Sequence, residues 1–130
     1  MITRYALFEG KVHEGQSAAF RNAVLAEILP KWKAFPGALS VRVGFAESRD
    51  DLAPEFPMIL AVSYPDLAAV EAALASPERA AARAATEAVL ARFFTGRIHH
   101  HVTTASDHDL TCPVQRRLDC RGGQRYRYLM

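Results

Sequence analysis

An α+β fold is predicted by this sequence: a βαββαβ plait in which two helices cover one face of a four-stranded antiparallel sheet. Three observations carry the expectation. The 130 residues are 50% hydrophobic, 9% aromatic and 23% charged, the composition of a globular domain able to build a core without metal or disulfide staples. The apolar period marks six segments over residues 1–104, in the order strand, helix, strand, strand, helix, strand. Charge also divides the chain: residues 1–104 carry 11 Lys+Arg against 11 Asp+Glu, and residues 105–130 carry 5 Arg against 3 Asp. One domain over 1–104 and a weakly basic tail over 105–130, peripheral and mobile, are expected.

The first strand spans residues 2–12, where Tyr5, Ala6, Leu7 and Phe8 form a short apolar run expected to be buried on both faces. From Gln16 the period becomes helical, with Phe20, Val24, Ile28 and Trp32 recurring every fourth residue and Leu25 and Leu29 beside them. Pro30 removes a backbone donor within that pattern, so the helix is expected to kink or split near Leu29 before Pro36-Gly37 stops it. Residues 39–45 alternate as a second strand, 47–57 read as a loop, and 58–64 form a short central third strand. The Ala-rich stretch 66–93 is helical in two pieces, because Ser76-Pro77-Glu78 has the layout of a helix start. Leu67, Val70 and Leu74 should line the first piece, and Ala81, Ala84, Ala85, Ala88, Val89 and Phe93 the second. Gly96 is expected to break the helix, and 97–103 to form the last strand.

That order is a split βαβ, or ferredoxin-like, plait. Strands one and three present apolar residues in both phases, so the sheet face away from the helices needs a cover, and a second copy of the chain is the simplest one. The charge-balanced body argues against nucleic acid, which needs a basic patch. No apolar run is long enough for a membrane span and the first ten residues lack a signal-peptide layout, so a cytoplasmic protein is expected. Cys112 and Cys120 lack zinc-site spacing, and a disulfide between them does not suit that compartment.

The βαββαβ order, Leu29-Pro30 followed by Phe35-Pro36-Gly37, the Ala75-Ser76-Pro77-Glu78 stretch and the closing strand at 93–101 resemble the dimeric α/β-barrel superfamily. Within it the chain is similar to EthD-like and antibiotic-biosynthesis-monooxygenase-like small proteins. The resemblance covers residues 1–104. It implies a homodimer whose sheets face each other, with a small apolar cavity between each sheet and its helices. It also implies a range of activities: cofactor-free monooxygenases, lactone isomerases, polyketide cyclases and haem-degrading enzymes. Where cyclase relatives carry a histidine, this chain has Ser76-Pro77-Glu78-Arg79, and residues 66–93 hold no histidine to ligate haem iron. No Gly-rich phosphate loop follows a strand, so no nucleotide or flavin cofactor is expected.

The sharpest local feature is His99-His100-His101. His100 shares its strand phase with Ile98 and Val102, so it should face the helices and the cavity, where a neutral imidazole can act as acid or base beside a carbonyl. The bland alternative is a core histidine bonded to a backbone carbonyl. His99 and His101 share the opposite phase at a spacing metal sites use, with His13, His108 or Glu9 as conceivable third ligands. The competing reading places both imidazoles at the dimer face or its rim, and no metal is assigned. Tyr5, Trp32, Phe35 and Tyr64 are candidates to line a pocket for a planar ring, and Arg42 to hold a carboxylate or phenolate. Aromatics at such spacings are also ordinary core residues, and Arg42 an ordinary solvated or dimer-face arginine. Two readings result: a cofactor-independent enzyme on a small aromatic or lactone-like metabolite with His100 as its acid or base, or a non-catalytic small-ligand-binding or accessory protein of the same fold.

Overall fold

Eleven residues of unbroken strand begin the fold, because β1 (Ile2–Val12) is paired along both edges. In the computed structural model, which describes residues 1–110, it is followed by α1 (Ser17–Ala23), a π-helical segment (Val24–Ile28), α2 (Leu29–Trp32), β2 (Ser40–Phe45), β3 (Met58–Tyr64), α3 (Leu67–Leu74), α4 (Pro77–Phe93) and β4 (Phe94–Thr104). The four strands form one antiparallel sheet in the order β2-β3-β1-β4. Ala6 stands opposite Leu60 on one side and His100 on the other, and that register fixes the face of every strand residue. Ala6, Phe8, Met58, Leu60, Val62 and Tyr64 are buried beneath the helices. The other phase of β1 is only half-buried at Tyr5 and Leu7, so β1 is not equally buried on its two faces.

The helical stripe Phe20, Val24, Ile28 and Trp32 is buried, with none of the four more than 3% exposed. A strict four-residue repeat drifts by roughly 40° per step on an ideal α-helix of 3.6 residues per turn, too far for four steps to share one face. The wider π turn removes part of that drift. The Leu29 amide donates to the Val24 carbonyl five residues back, and Pro30, which has no amide to give, is accommodated just after it. The expected break near Leu29 is therefore a π segment between two short helices, and it leaves Leu25 exposed.

Local capping chemistry sets the later helices. Asp66 accepts from the Ala69 amide at 2.8 Å and Ser76 from the Arg79 amide at 3.3 Å, with Pro77 in the first turn of α4. The buried face of α4 is Ala82, Thr86, Val89 and Phe93, whereas Ala81, Ala84 and Ala88 are exposed and Ala85 intermediate. Alanine carries no preference for either side of such a helix, and Thr86 hides its burial by satisfying its own hydroxyl, which donates to the Ala82 carbonyl at 2.7 Å. On α3, Val70 and Ala73 are buried and Leu67 is exposed.

Gly96 does not end α4. The helix gives way directly to β4 at Phe94, and Gly96 lies inside the strand opposite Gly10. A Cβ on Gly96 would stand 2.1 Å from the Glu9 carbonyl oxygen, and one on Gly10 would stand 2.2 Å from that of Thr95. With φ at +159° and +150°, both positions exclude side chains. Beyond β4, residues 105–110 form no helix or strand, and the Ala105 amide donates to the Met1 carbonyl at 2.9 Å. The expectations for Cys112, Cys120 and a short strand at 126–130 lie outside the described residues.

Gly96→Ala should destabilise the fold by about 2 kcal/mol or more, because strain in φ and backbone overlap act together. Thermal unfolding would read this as a loss of several degrees in Tm, and an unchanged Tm would contradict the close strand approach.

Candidate functional site

Small residues on two elements leave a space between the sheet and the helices. Ala6 of β1 faces Ala82 and Thr86 of α4 across a cavity of about 350 Å³. Two-residue alternation brings Arg4, Ala6 and Phe8 of β1 and Ile98 and His100 of β4 to its sheet side. Trp32 at the end of α2 and Phe35 just beyond it also wall the cavity. Trp32 is only 3% exposed, so its ring is a fixed part of that wall.

His100 lies on this face, in the phase expected from the sequence, but it is exposed, not interior. The reason is topological: β4 is an edge strand, so His100 sits at the rim of the cavity and has no further strand outside it. It is not the core histidine of the bland alternative. Partial burial holds its pKa below the ordinary 6.5, and the positive charges of Arg4 and then Arg79 push it further the same way.

The cavity is also basic. Arg4, Arg79 and Arg83 line it with a single carboxylate, Glu87, which Arg83 holds at 3.1 Å. Burial lowers the pKa of Arg4, and the Arg79 charge lowers it further. Tyr64 is 2% exposed, and the same burial raises its hydroxyl pKa while the Arg4 charge opposes the rise.

Of the residues singled out from the sequence, the cavity brings together His100, Trp32 and Phe35. Tyr64 is buried on the same sheet face without lining it. Tyr5 and Arg42 are elsewhere: both register with Ala61, in the phase opposite to Leu60, on the sheet face that the helices leave uncovered. Arg4, Arg79 and Glu87 were not singled out. Arg4 had a signal in the sequence, since it shares its strand phase with Ala6 and Phe8, where a charge is out of place.

The open face has its own polar cluster. His99 Nε2 lies 2.7 Å from Glu9 Oε1, and Arg97 Nε donates to the same oxygen at 3.3 Å. The hydrogen bond with His99, more than Arg97, holds the Glu9 carboxyl below its usual range. Among the described residues, no group of three His, Cys, Asp or Glu side chains is placed to hold a metal ion. A second cavity of about 510 Å³ lies at the loop after β2, and its arginines are occupied: Arg21 by Glu47 at 3.1 Å and Arg49 by Glu55 at 3.7 Å. Among the described residues, no helix is long and apolar enough to cross a membrane.

No protein-family model and no curated protein matches the sequence. Solved structures do. An EthD (ethyl tert-butyl ether D) family protein from Bacillus halodurans is similar at a TM-score of 0.62 and 16% identity, over 82% of this chain and 99% of that one. SnoaB, a cofactor-independent oxygenase from Streptomyces nogalater, is similar at 0.54 and 20%, over 85% and 97%. A dimeric protein of unknown function and ferredoxin-like fold from Bacteroides fragilis is similar at 0.52 and 16%, over 77% and 93%. At these identities the likeness establishes the fold, which is the ferredoxin-like α+β architecture of the EthD-like and antibiotic-biosynthesis-monooxygenase-like proteins that the sequence resembles.

Proposed function

We propose that the chain acts as a homodimer, that its helix-covered cavity binds a small aromatic or lactone-like metabolite, and that His100 serves there as acid or base without a cofactor. The observation that carries this is the convergence of His100, Trp32 and Phe35 on one cavity. Trp32 and Phe35 offer apolar surface for a planar ring. The depressed pKa leaves the His100 imidazole neutral at pH 7, ready to take a proton from carbon beside a carbonyl and return it elsewhere on the molecule. Such proton transfers fit an EthD-like reaction of isomerase or cyclase type, or of monooxygenase type where dioxygen is the oxidant. The exposure of His100 supports the second reading, a binding or accessory protein with no turnover.

The open face supports the dimer. Tyr5, Leu7, Ile59 and Ala61 form its apolar centre, with Ile59 36% exposed, and the similar protein from Bacteroides fragilis is itself described as dimeric. The Glu9–His99–Arg97 cluster rims that patch.

His100→Ala should lower turnover of aromatic ketone or lactone substrates about a hundredfold or more. Equal turnover in the variant would remove His100 from the chemistry, and binding without turnover across the panel would favour the second reading. The sign of the pH effect follows from the lowered pKa. The unfolded chain binds the extra proton first, so the His100 contribution to stability is present above pH 6.5 and is lost as pH falls toward the folded pKa. An NMR titration of the His100 ring should have its midpoint below 6.5, and Arg4→Gln should move it upward; a midpoint above 6.5 would reverse the electrostatics described. Light scattering should give a dimer at micromolar concentration and a monomer for Ile59→Lys. A monomeric wild type would remove the dimer.

A further inference from the structure

The described arginines divide into two groups. Arg21, Arg49, Arg83, Arg92 and Arg97 each hold a carboxylate within 4 Å, and Arg4, Arg42 and Arg79 hold none among the described residues. Arg42 is exposed on the open face, where water solvates it. Arg4 and Arg79 both line the cavity beneath the helices.

Arg4 is the more unusual of the two. It occupies a central strand, on the helix-facing side, with Val62 and Val102 as its partners across the ladder. Neither valine side chain can accept a hydrogen bond from a guanidinium group. A half-buried cation facing a second cation costs stability, and folds retain such groups where a ligand supplies the missing charge. Because Glu87 is occupied by Arg83, the cavity presents two uncompensated positive charges beside an otherwise apolar wall of Trp32, Phe35 and Ile98.

We infer that Arg4 and Arg79 form an anion seat, and that the ligand of this cavity is a small aromatic carboxylate whose ring lies against Trp32 and Phe35. The planar guanidinium fork matches a carboxylate in geometry as well as charge. Near 350 Å³, the cavity suits a one-ring or two-ring molecule better than a long polyketide. The inference rests on the cavity being the ligand site of the proposed function, and it specifies the charge of what enters. In the complex the carboxylate also sits near His100, holding the reacting carbon in place without itself being transformed.

The chain contains a single tryptophan, and Trp32 lines the site, so indole fluorescence reports binding there and nowhere else. Benzoate and its neutral isostere benzamide are the probes. Benzoate should bind at least about tenfold more tightly than benzamide, and added salt should weaken benzoate alone. Arg4→Gln and Arg79→Gln should each remove most of that preference while leaving benzamide affinity unchanged. Neither variant should melt below the wild type, because each removes an uncompensated charge, and benzoate should raise the wild-type Tm more than that of either variant. Equal affinity for the two probes, a benzoate preference that survives both substitutions, or no binding of either probe would overturn the anion seat. Equilibrium binding tests this inference and turnover tests the role of His100, so a charge preference without turnover, or turnover without a charge preference, separates the two.

Discussion

Pairing of β1 along both edges is the constraint on which the rest of the molecule depends. Because β3 and β4 are each locked to β1 residue by residue, the phase of one strand decides the phase of its neighbours. Ala6, Leu60 and His100 go under the helices together, and Leu7, Ile59 and His99 go to the other side together. A slip of one residue would exchange the two sets. The glycine pair at positions 10 and 96 guards against that slip at the far end of the ladder, since only there can the two backbones come so close.

The two faces of the sheet treat charge in opposite ways. On the open face, Glu9 draws together His99 and Arg97, which share one carboxylate oxygen. Under the helices, partial burial and then the charges of Arg4 and Arg79 press the neighbouring imidazole toward neutrality. His99 and His100 are adjacent in sequence, yet one is partnered by a carboxylate and the other is repelled by guanidinium groups. The difference comes from strand alternation alone, which turns consecutive side chains into different environments.

Strand phases and helix starts were legible in the sequence because both depend on nearest neighbours. The alternation from Ile98 to Val102 is enough to aim His100, and Asp66 and Ser76 announce their helices by side-chain chemistry that acts three residues away. What was not legible depended on distant packing. An alanine-rich helix such as α4 carries no apolar stripe, so its buried side is set by what it meets, and the polarity of Thr86 gives no sign of its burial. The aromatic character of Tyr5 suggests a pocket, but its phase, opposite to Ala6, places it on the uncovered face. A charge in a strand ordinarily means solvent, yet the phase of Arg4 points inward, and phase is the better guide. The π turn had a trace too, in a four-residue repeat that an ideal α-helix cannot keep on one side.

The space in the cavity is owed to Ala6, Ala82 and Thr86, three side chains that contribute little beyond their smallness. Its dimensions and its charge are therefore controlled by different residues. A methyl group added at Ala82 or Thr86 trims the room for a ring without touching the arginines, and a change at Arg4 alters the charge without altering the room. A scaffold divided in this way can be reshaped for a bulkier or slimmer molecule by single substitutions on one helix, leaving the charges at the sheet intact.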